Sequence, residues 1–353
     1  MTKHMRSLLC LFLALTLYSC APVVLPDIVW PLPPDPPRIK FVKSFTGTKG
    51  FYGFSTKDIL LGVDSQTDYM SKPQGVHVDA LGRVYVGDTA FGTVKVFDPA
   101  KKAPYFLRSR GRSVMKKPIG IASDAKGRIY VADSQANKVW VYNSNGSFKA
   151  MFGQKGEFRQ PAGLAVDDER GRLYMVDTHH HKIFVLDLET GEILNTIGKR
   201  GEEEGELNFP SYVAINKKSG NIYVVDTMNG RVQVFDPKGR FLRGWGKHGD
   251  GFGQFARPKG IAVDSEGHVY VVDAAFNNIQ IFDEEGQILM AFGEYGNGRG
   301  QQILPAGLAI DSEDRIYVVD SWNGRVNIYE FMGKKAEERK KREEAAAAKK
   351  KKK

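Results

Sequence analysis

Six prolines divide most of the chain into near-equal lengths, and that spacing limits the folds open to it more than any other feature. They stand at Pro73, Pro118, Pro161, Pro210, Pro258 and Pro305, with steps of 45, 43, 49, 48 and 47 residues. A period in this range belongs to radial or solenoidal repeats, in which each unit buries its apolar faces against its neighbours. Within the fifth unit, Gly260–Val263, Val269–Val272, Ile279–Phe282 and Gln287–Phe292 are four short runs rich in β-branched and aromatic residues. Turn residues separate them, Ser265-Glu266-Gly267 and Glu284-Glu285-Gly286 among others. Runs of strand length bounded by such turns predict antiparallel strands rather than helices. The expected fold is all-β: a six-bladed β-propeller whose blades each hold four antiparallel strands.

Two residue types recur at fixed places. Tyr85, Tyr130, Tyr174, Tyr223, Tyr270 and Tyr317 occupy one position, where a large ring with a polar tip can fill the space between blades. Asp88, Asp133, Asp177, Asp226, Asp273 and Asp320 occupy another. A carboxylate at a strand end can accept hydrogen bonds from the amides of the following turn, so these six are expected to be structural. The pattern P-x-G-x-A-x-D, then Y-V-x-D, a turn with Asn and Arg, and V-F-D resembles the NHL repeat. The resemblance spans Pro73 to Phe331 and implies a propeller with binding surfaces at its two ends.

The sixth unit stops where its fourth strand should begin, after Val326–Tyr329, whereas Arg38–Gly47 reads like a fourth strand yet precedes the first unit. Pairing the two would close the ring, with the N-terminal strand completing the last blade and removing two sheet edges. Lys57–Leu61, in the connection to the first unit, reads as a short amphipathic turn of helix.

The net charge of +10 invites a nucleic-acid reading, but its placement argues against one. Lys3 and Arg6 sit at one end, and the segment after Met332 carries eleven basic and four acidic residues, so the propeller itself is nearly neutral. Residues 1–19 join a short basic start to an apolar run of signal-peptide length, too short to span a membrane. The ending Leu17-Tyr18-Ser19-Cys20 resembles the bacterial lipobox, which implies lipidation of Cys20 and cleavage before it. Ala21 follows, and the sorting rule that this resemblance brings favours the outer membrane. The expected location is the bacterial cell envelope, facing the periplasm or the cell surface. Residues 20–38 are dense in proline and are expected to form an extended spacer. The propeller is placed at 39–332, and 333–353 form a charged, low-complexity tail expected to be a solvated helix.

Loops joining second and third strands lie on the same end of the disc as the connections between blades, so that end collects the variable residues. The candidate partner-binding face consists of Phe91, His179, His180, Tyr212, Arg231, Phe276, Trp322 and Arg325. Exposed aromatics interspersed with cations suit a protein or polymer partner. Tyr212 replaces the glycine found in the other five units and is expected to plug the channel mouth. The run His179-His180-His181 raises a metal reading, but adjacent residues on one turn do not readily converge on an ion. No metal, cofactor or catalytic residue is assigned. Peptide-amidating lyases resemble this repeat and bind zinc through histidines just after the repeat proline. The matching positions here are Gln74, Ile119, Ala162, Ser211, Lys259 and Ala306. His77 stands apart from them and reads as a strand residue. The glycine-rich stretches 198–206 and 246–254 read as mobile, solvated loops. The functional expectation is a lipid-anchored envelope propeller, monomeric by itself, that binds a partner as a scaffold or accessory subunit. The competing reading is a hydrolase or lyase acting at the channel mouth.

Overall fold

The computed structural model describes residues 26–53, 69–101, 103–108, 111 and 113–351. Cys20 and Lys57–Leu61 lie outside them. The six units form six antiparallel sheets arranged in a ring. In the second blade the strands run Pro118–Ser123, Ile129–Asp133, Lys138–Tyr142 and Phe148–Phe152, from the axis outward. The second and third strands of each blade are buried almost throughout, because both their faces meet neighbouring blades. The outermost strands alternate or are exposed, as Ile193–Ile197 is in the third blade. Apolar side chains between adjacent blades supply the core; Tyr130, Val139 and Phe152 of the second, for instance, pack with Leu173 and Met175 of the third.

The glycine in each innermost strand has a steric cause. A Cβ added to Gly75 would lie 1.8 Å from the Ile119 carbonyl oxygen of the next blade, and one on Gly120 would lie 2.0 Å from that of Ala162. Gly307 approaches Gln74 in the same way, at 2.5 Å, so the hub is tight where the last blade meets the first. No side chain fits at this contact, which is why the position is glycine in five blades.

The recurrent tyrosines are buried between blades as expected, and the hydroxyls of four of them have specific partners, while those of Tyr174 and Tyr223 have none. Tyr85, Tyr130, Tyr270 and Tyr317 donate to Asp79, Asp124, Asp264 and Asp311 at the ends of their own innermost strands, at 3.0–3.1 Å. The recurrent aspartates do more than cap a turn. Asp133 accepts from the Gln135 and Ala136 amides of its hairpin at 3.1 and 2.9 Å, and also from the Lys116 and Lys117 amides at 2.7 and 2.9 Å. One buried carboxylate thus joins the hairpin to the chain arriving from the previous blade.

Ring closure uses both ends of the propeller. Ile39–Phe45 pairs antiparallel with Arg325–Phe331, with Phe41 opposite Tyr329 and Lys43 opposite Ile328. The proline-rich segment does not remain a free spacer over its described part. Val29–Trp30 pairs with Lys40 and Ile39, so the closing sheet has five strands rather than four. Trp30 explains the difference, since its indole lies 5.9 Å from the Phe292 ring and 5.8 Å from that of Tyr329, covering an edge of the core. At the other end, Lys334–Lys351 is a helix without an apolar face. Its first turns are not merely solvated: Arg339 is buried and pairs with Glu330, and Lys335 donates to Asp314 at 3.2 Å and Arg342 to Glu313 at 2.5 Å.

The stretches 198–206 and 246–254 are pinned rather than loose. Leu207 and Phe255, just beyond them, are fully buried, and short parallel bridges join Arg200 to Leu207 and His248 to Phe255. The Gly253 amide donates to Gln280 Oε1 at 2.9 Å.

Candidate functional site: an axial basin on the loop-rich face

All six innermost strands start at the face that carries the inter-blade connections, and the hairpin loops between second and third strands surround the same opening. Tyr212, which stands where the other blades have glycine, projects into the hub from the fourth blade. Its hydroxyl donates to the Gln74 carbonyl of the first blade, on the opposite side of the ring, at 3.1 Å. Burial pushes its phenol well above the usual range, so it stays neutral. The side chain divides the axial channel into two compartments, and it lines both.

The compartment on the loop-rich face is a basin of about 950 Å³. Its polar wall contains Lys72, Lys117, Arg257 and Lys259 with Gln74, Gln160, Ser211 and three threonines, and its apolar wall includes Ile119, Ala162, Phe209 and Met228. The lining holds no carboxylate among the described residues. Three of the cations precede a repeat proline, and the strand-end aspartates fix them there. The amides of Lys72, Lys117 and Arg257 donate to Asp88, Asp133 and Asp273 at 3.2, 2.9 and 3.1 Å. Lys259 follows its proline and is half-buried. Burial, with Arg257 and Lys117 nearby, pulls its ammonium below the ordinary lysine value.

The opposite compartment is smaller, about 180 Å³, and mixed in character. It contains His77, Ser123, Asp168 and Lys217 among aliphatic residues. His77 Nε2 lies 2.7 Å from Ser123 Oγ. Burial in the channel, opposed by Asp79 and assisted by Lys217, lowers this imidazole to about 4.

Of the residues expected at the binding face, Tyr212 alone lines the basin. Phe91 and Trp322 lie outside its lining, on hairpin loops of the same face, 53% and 72% exposed. Phe91 packs edge-on against Tyr69 at 5.5 Å. Phe276 is half-buried. Arg231 and Arg325 are occupied internally. Arg231 binds Asp226 at 2.8 Å and the carbonyls of Glu203 and Glu206 at 2.8 and 3.0 Å. Arg325 binds Asp320 at 2.7 Å and the carbonyls of Asn297, Gly298 and Gln301 at 2.7–2.9 Å. They tie inter-blade loops to the hairpins and present little charge to a partner. The three histidines diverge. His179 is exposed, with its ring 5.9 Å from Phe209. His180 Nδ1 sits 3.1 Å from Asp177. His181 is buried, accepts the Phe209 amide at 3.1 Å and is held below its ordinary value first by burial, then by Arg200 and His179. Among the described residues no three histidine, cysteine or acidic side chains cluster as metal ligands.

The basin cations were missed in the sequence because the pattern is one residue per repeat. Read down the units, the residues before the prolines are Lys72, Lys117, Gln160, Phe209, Arg257 and Leu304. Only closing the ring turns that column into a wall.

The sequence matches the profile of a six-bladed β-propeller family, DUF5128, over residues 113–199, 202–279 and 265–346. Among curated proteins no match is found. Among solved structures, one similar fold is an auxiliary nutrient binding protein from Bacteroides thetaiotaomicron, at 14% identity and TM-score 0.58, covering 74% of this chain and 69% of that one. A protein of unknown function from the same organism matches at 19% identity and TM-score 0.57, covering 74% and 70%. Virginiamycin B lyase from Staphylococcus aureus matches at 13% identity and TM-score 0.55, covering 85% and 91%. At these identities the likeness is one of fold.

Proposed function

This chain belongs to the six-bladed β-propeller family DUF5128, and from that premise we propose that it is a non-catalytic binding protein of the bacterial cell envelope. It is an accessory subunit or scaffold of the NHL type that holds a protein or polymer partner at its loop-rich face. The observation that carries this reading is the blind basin closed beneath by Tyr212, on the face whose hairpin loops also expose Phe91 and Trp322. A concave site with an apolar wall and convergent polar groups is the usual form of a ligand site. The side chains in it favour holding over chemistry. The hydroxyls of Thr178 and Thr227 already donate to the carbonyls of Pro210 and Pro258, at 2.9 and 3.2 Å. His248 is the one imidazole among the described lining residues, and its Nε2 lies 3.0 Å from the Met228 carbonyl. The nutrient-binding name of a similar fold agrees with a holding role. Lipid on Cys20 would tether the protein to the outer membrane, consistent with a chain in which no described helix is long and apolar enough to cross one.

Photocrosslinking in intact cells tests the face. A benzophenone side chain at Ala90, in the basin wall, should give discrete adducts that one at Leu289, on an exposed outer strand, does not. Adducts from Leu289 with none from Ala90 would contradict the proposal. Palmitate labelling should tag the wild type and not Cys20→Ala; equal labelling would remove the anchor.

A further inference from the structure

The charge distribution in the basin narrows what it can hold. We infer that the axial basin is a binding site for a ligand carrying two or more oxyanionic groups, of the carboxylate class, seated between Lys117 on one side and Arg257 with Lys259 on the other. The inference rests on the loop-rich face being the binding face and adds the chemistry of what binds there.

Four cationic side chains converge on one concavity in a propeller that is nearly neutral as a whole, and no carboxylate in the described lining offsets them. They come from three blades. Lys72 and Lys117 are contributed by the first and second, Arg257 and Lys259 by the fifth, which lies across the axis from the second. Such a ring focuses positive potential into a space with a low-dielectric floor, where an anion is held more strongly than on an open surface. Cations gathered in this way repel one another: burial first, and then Arg257 and Lys117, lowers the basicity of Lys259. An anion removes that repulsion on binding. Gln160 adds an acceptor, since its buried Oε1 has no hydrogen-bond partner; it suits a hydroxyl of the ligand rather than a carboxylate. Ile119, Ala162 and Phe209 give the basin an apolar side against which a carbon skeleton can lie, which favours an organic polyanion over a bare inorganic one. A free polycarboxylate and an acidic oligosaccharide share this chemistry.

Titration calorimetry with citrate, a galacturonic acid trisaccharide, inorganic phosphate and the uncharged galactose trisaccharide tests it. Citrate or the acidic trisaccharide should bind, more tightly than phosphate, with affinity falling as salt rises from low to physiological strength. Whichever of the two binds better identifies the source. Lys117→Met should weaken binding about tenfold, the loss expected for one charge-assisted hydrogen bond, and Lys117→Arg should retain it. Lys117 is exposed, so neither change threatens the fold. Lys259→Met should weaken it comparably, with a melting curve to confirm folding. Equal affinity for the neutral and acidic trisaccharides, or affinity unmoved by salt and by Lys117→Met, overturns the inference. Failure of every anionic probe to bind at millimolar concentration also overturns it. The face assignment fails separately: Ala90→Trp fills the basin wall. Neutral-sugar binding that Ala90→Trp abolishes would keep the binding face and discard the charge argument, whereas anion binding that persists in Ala90→Trp would discard the basin.

Discussion

The two ends of one channel are built from the same six strands and differ in almost every respect that bears on binding. The loop-rich end opens into about 950 Å³ walled by lysine and arginine; the other end holds about 180 Å³ in which Lys217 is offset by Asp168 and His77 is kept neutral by burial. The cause lies in what each strand terminus must do. Where innermost strands end, Asp79, Asp124, Asp264 and Asp311 are engaged by tyrosine hydroxyls and by the hairpin that follows, so the residue types there are set by the fold. Where the strands begin, the backbone amide is fixed by a strand-end aspartate, but the side chain is not needed for packing. Lys72, Lys117 and Arg257 can therefore face the axis without cost to the blade. A propeller gains a site where its architecture leaves side chains unassigned, and Tyr212 separates that end from the rest.

The comparison can be broken by attacking what holds the two ends apart. The largest effect is expected for Asp133→Ala, which leaves the Lys116, Lys117, Gln135 and Ala136 amides without their acceptor at the loop-rich end. Removing a buried charged partner of this kind costs about 3–5 kcal/mol, measurable by urea unfolding; a loss below 1 kcal/mol would show that the aspartates do not hold the rim. Next, Tyr212→Ala should cost about 2–4 kcal/mol through the cavity it leaves and join the compartments, so that a ligand of the basin binds more weakly. Unchanged affinity would deny the tyrosine its role as a floor.

The smaller end should be the pH-sensitive one. His77 titrates near 4 in the folded protein, below the 6.5 of an exposed imidazole, so the unfolded chain takes the proton first. Its contribution is complete above about pH 6.5 and is lost as pH falls toward about 4. The loss amounts to about 3–4 kcal/mol at most, from 1.36 kcal/mol per pKa unit. His77→Gln should flatten this part of the stability profile, and an identical profile would show that the imidazole is not buried in the channel. The smallest effect on stability belongs to the exposed hairpin tips. Trp322→Ala removes a ring that is 72% exposed and should change unfolding free energy by under about 0.5 kcal/mol. A larger loss would mean that this ring packs on neighbouring loops rather than awaits a partner.

Much of the fold is legible in the chain because its determinants repeat. The proline period, the buried tyrosines and the strand resembling a displaced fourth strand lead to six blades and to Phe41 beside Tyr329. The reading falters where a determinant occurs once or acts through backbone. Val29–Trp30 is a two-residue strand amid prolines, and only the rings of Phe292 and Tyr329 give it a reason to pair. Arg231 and Arg325 read as binding-face cations in the sequence because five of their partners are main-chain carbonyls in loops some 24–28 residues away. The hub glycines are visible as a pattern, but their cause is a carbonyl of the next blade. Tyr212 is legible as the exception to that pattern, and its reach across the axis to Gln74 is what the exception accomplishes.

A crystal structure of the protein with bound citrate or acidic trisaccharide tests the central claim most directly. The account predicts ligand density between Lys117 and Lys259, on the loop-rich side of a Tyr212 whose hydroxyl remains on the Gln74 carbonyl. An open channel through the hub, or density on the His77 side of Tyr212, would contradict it.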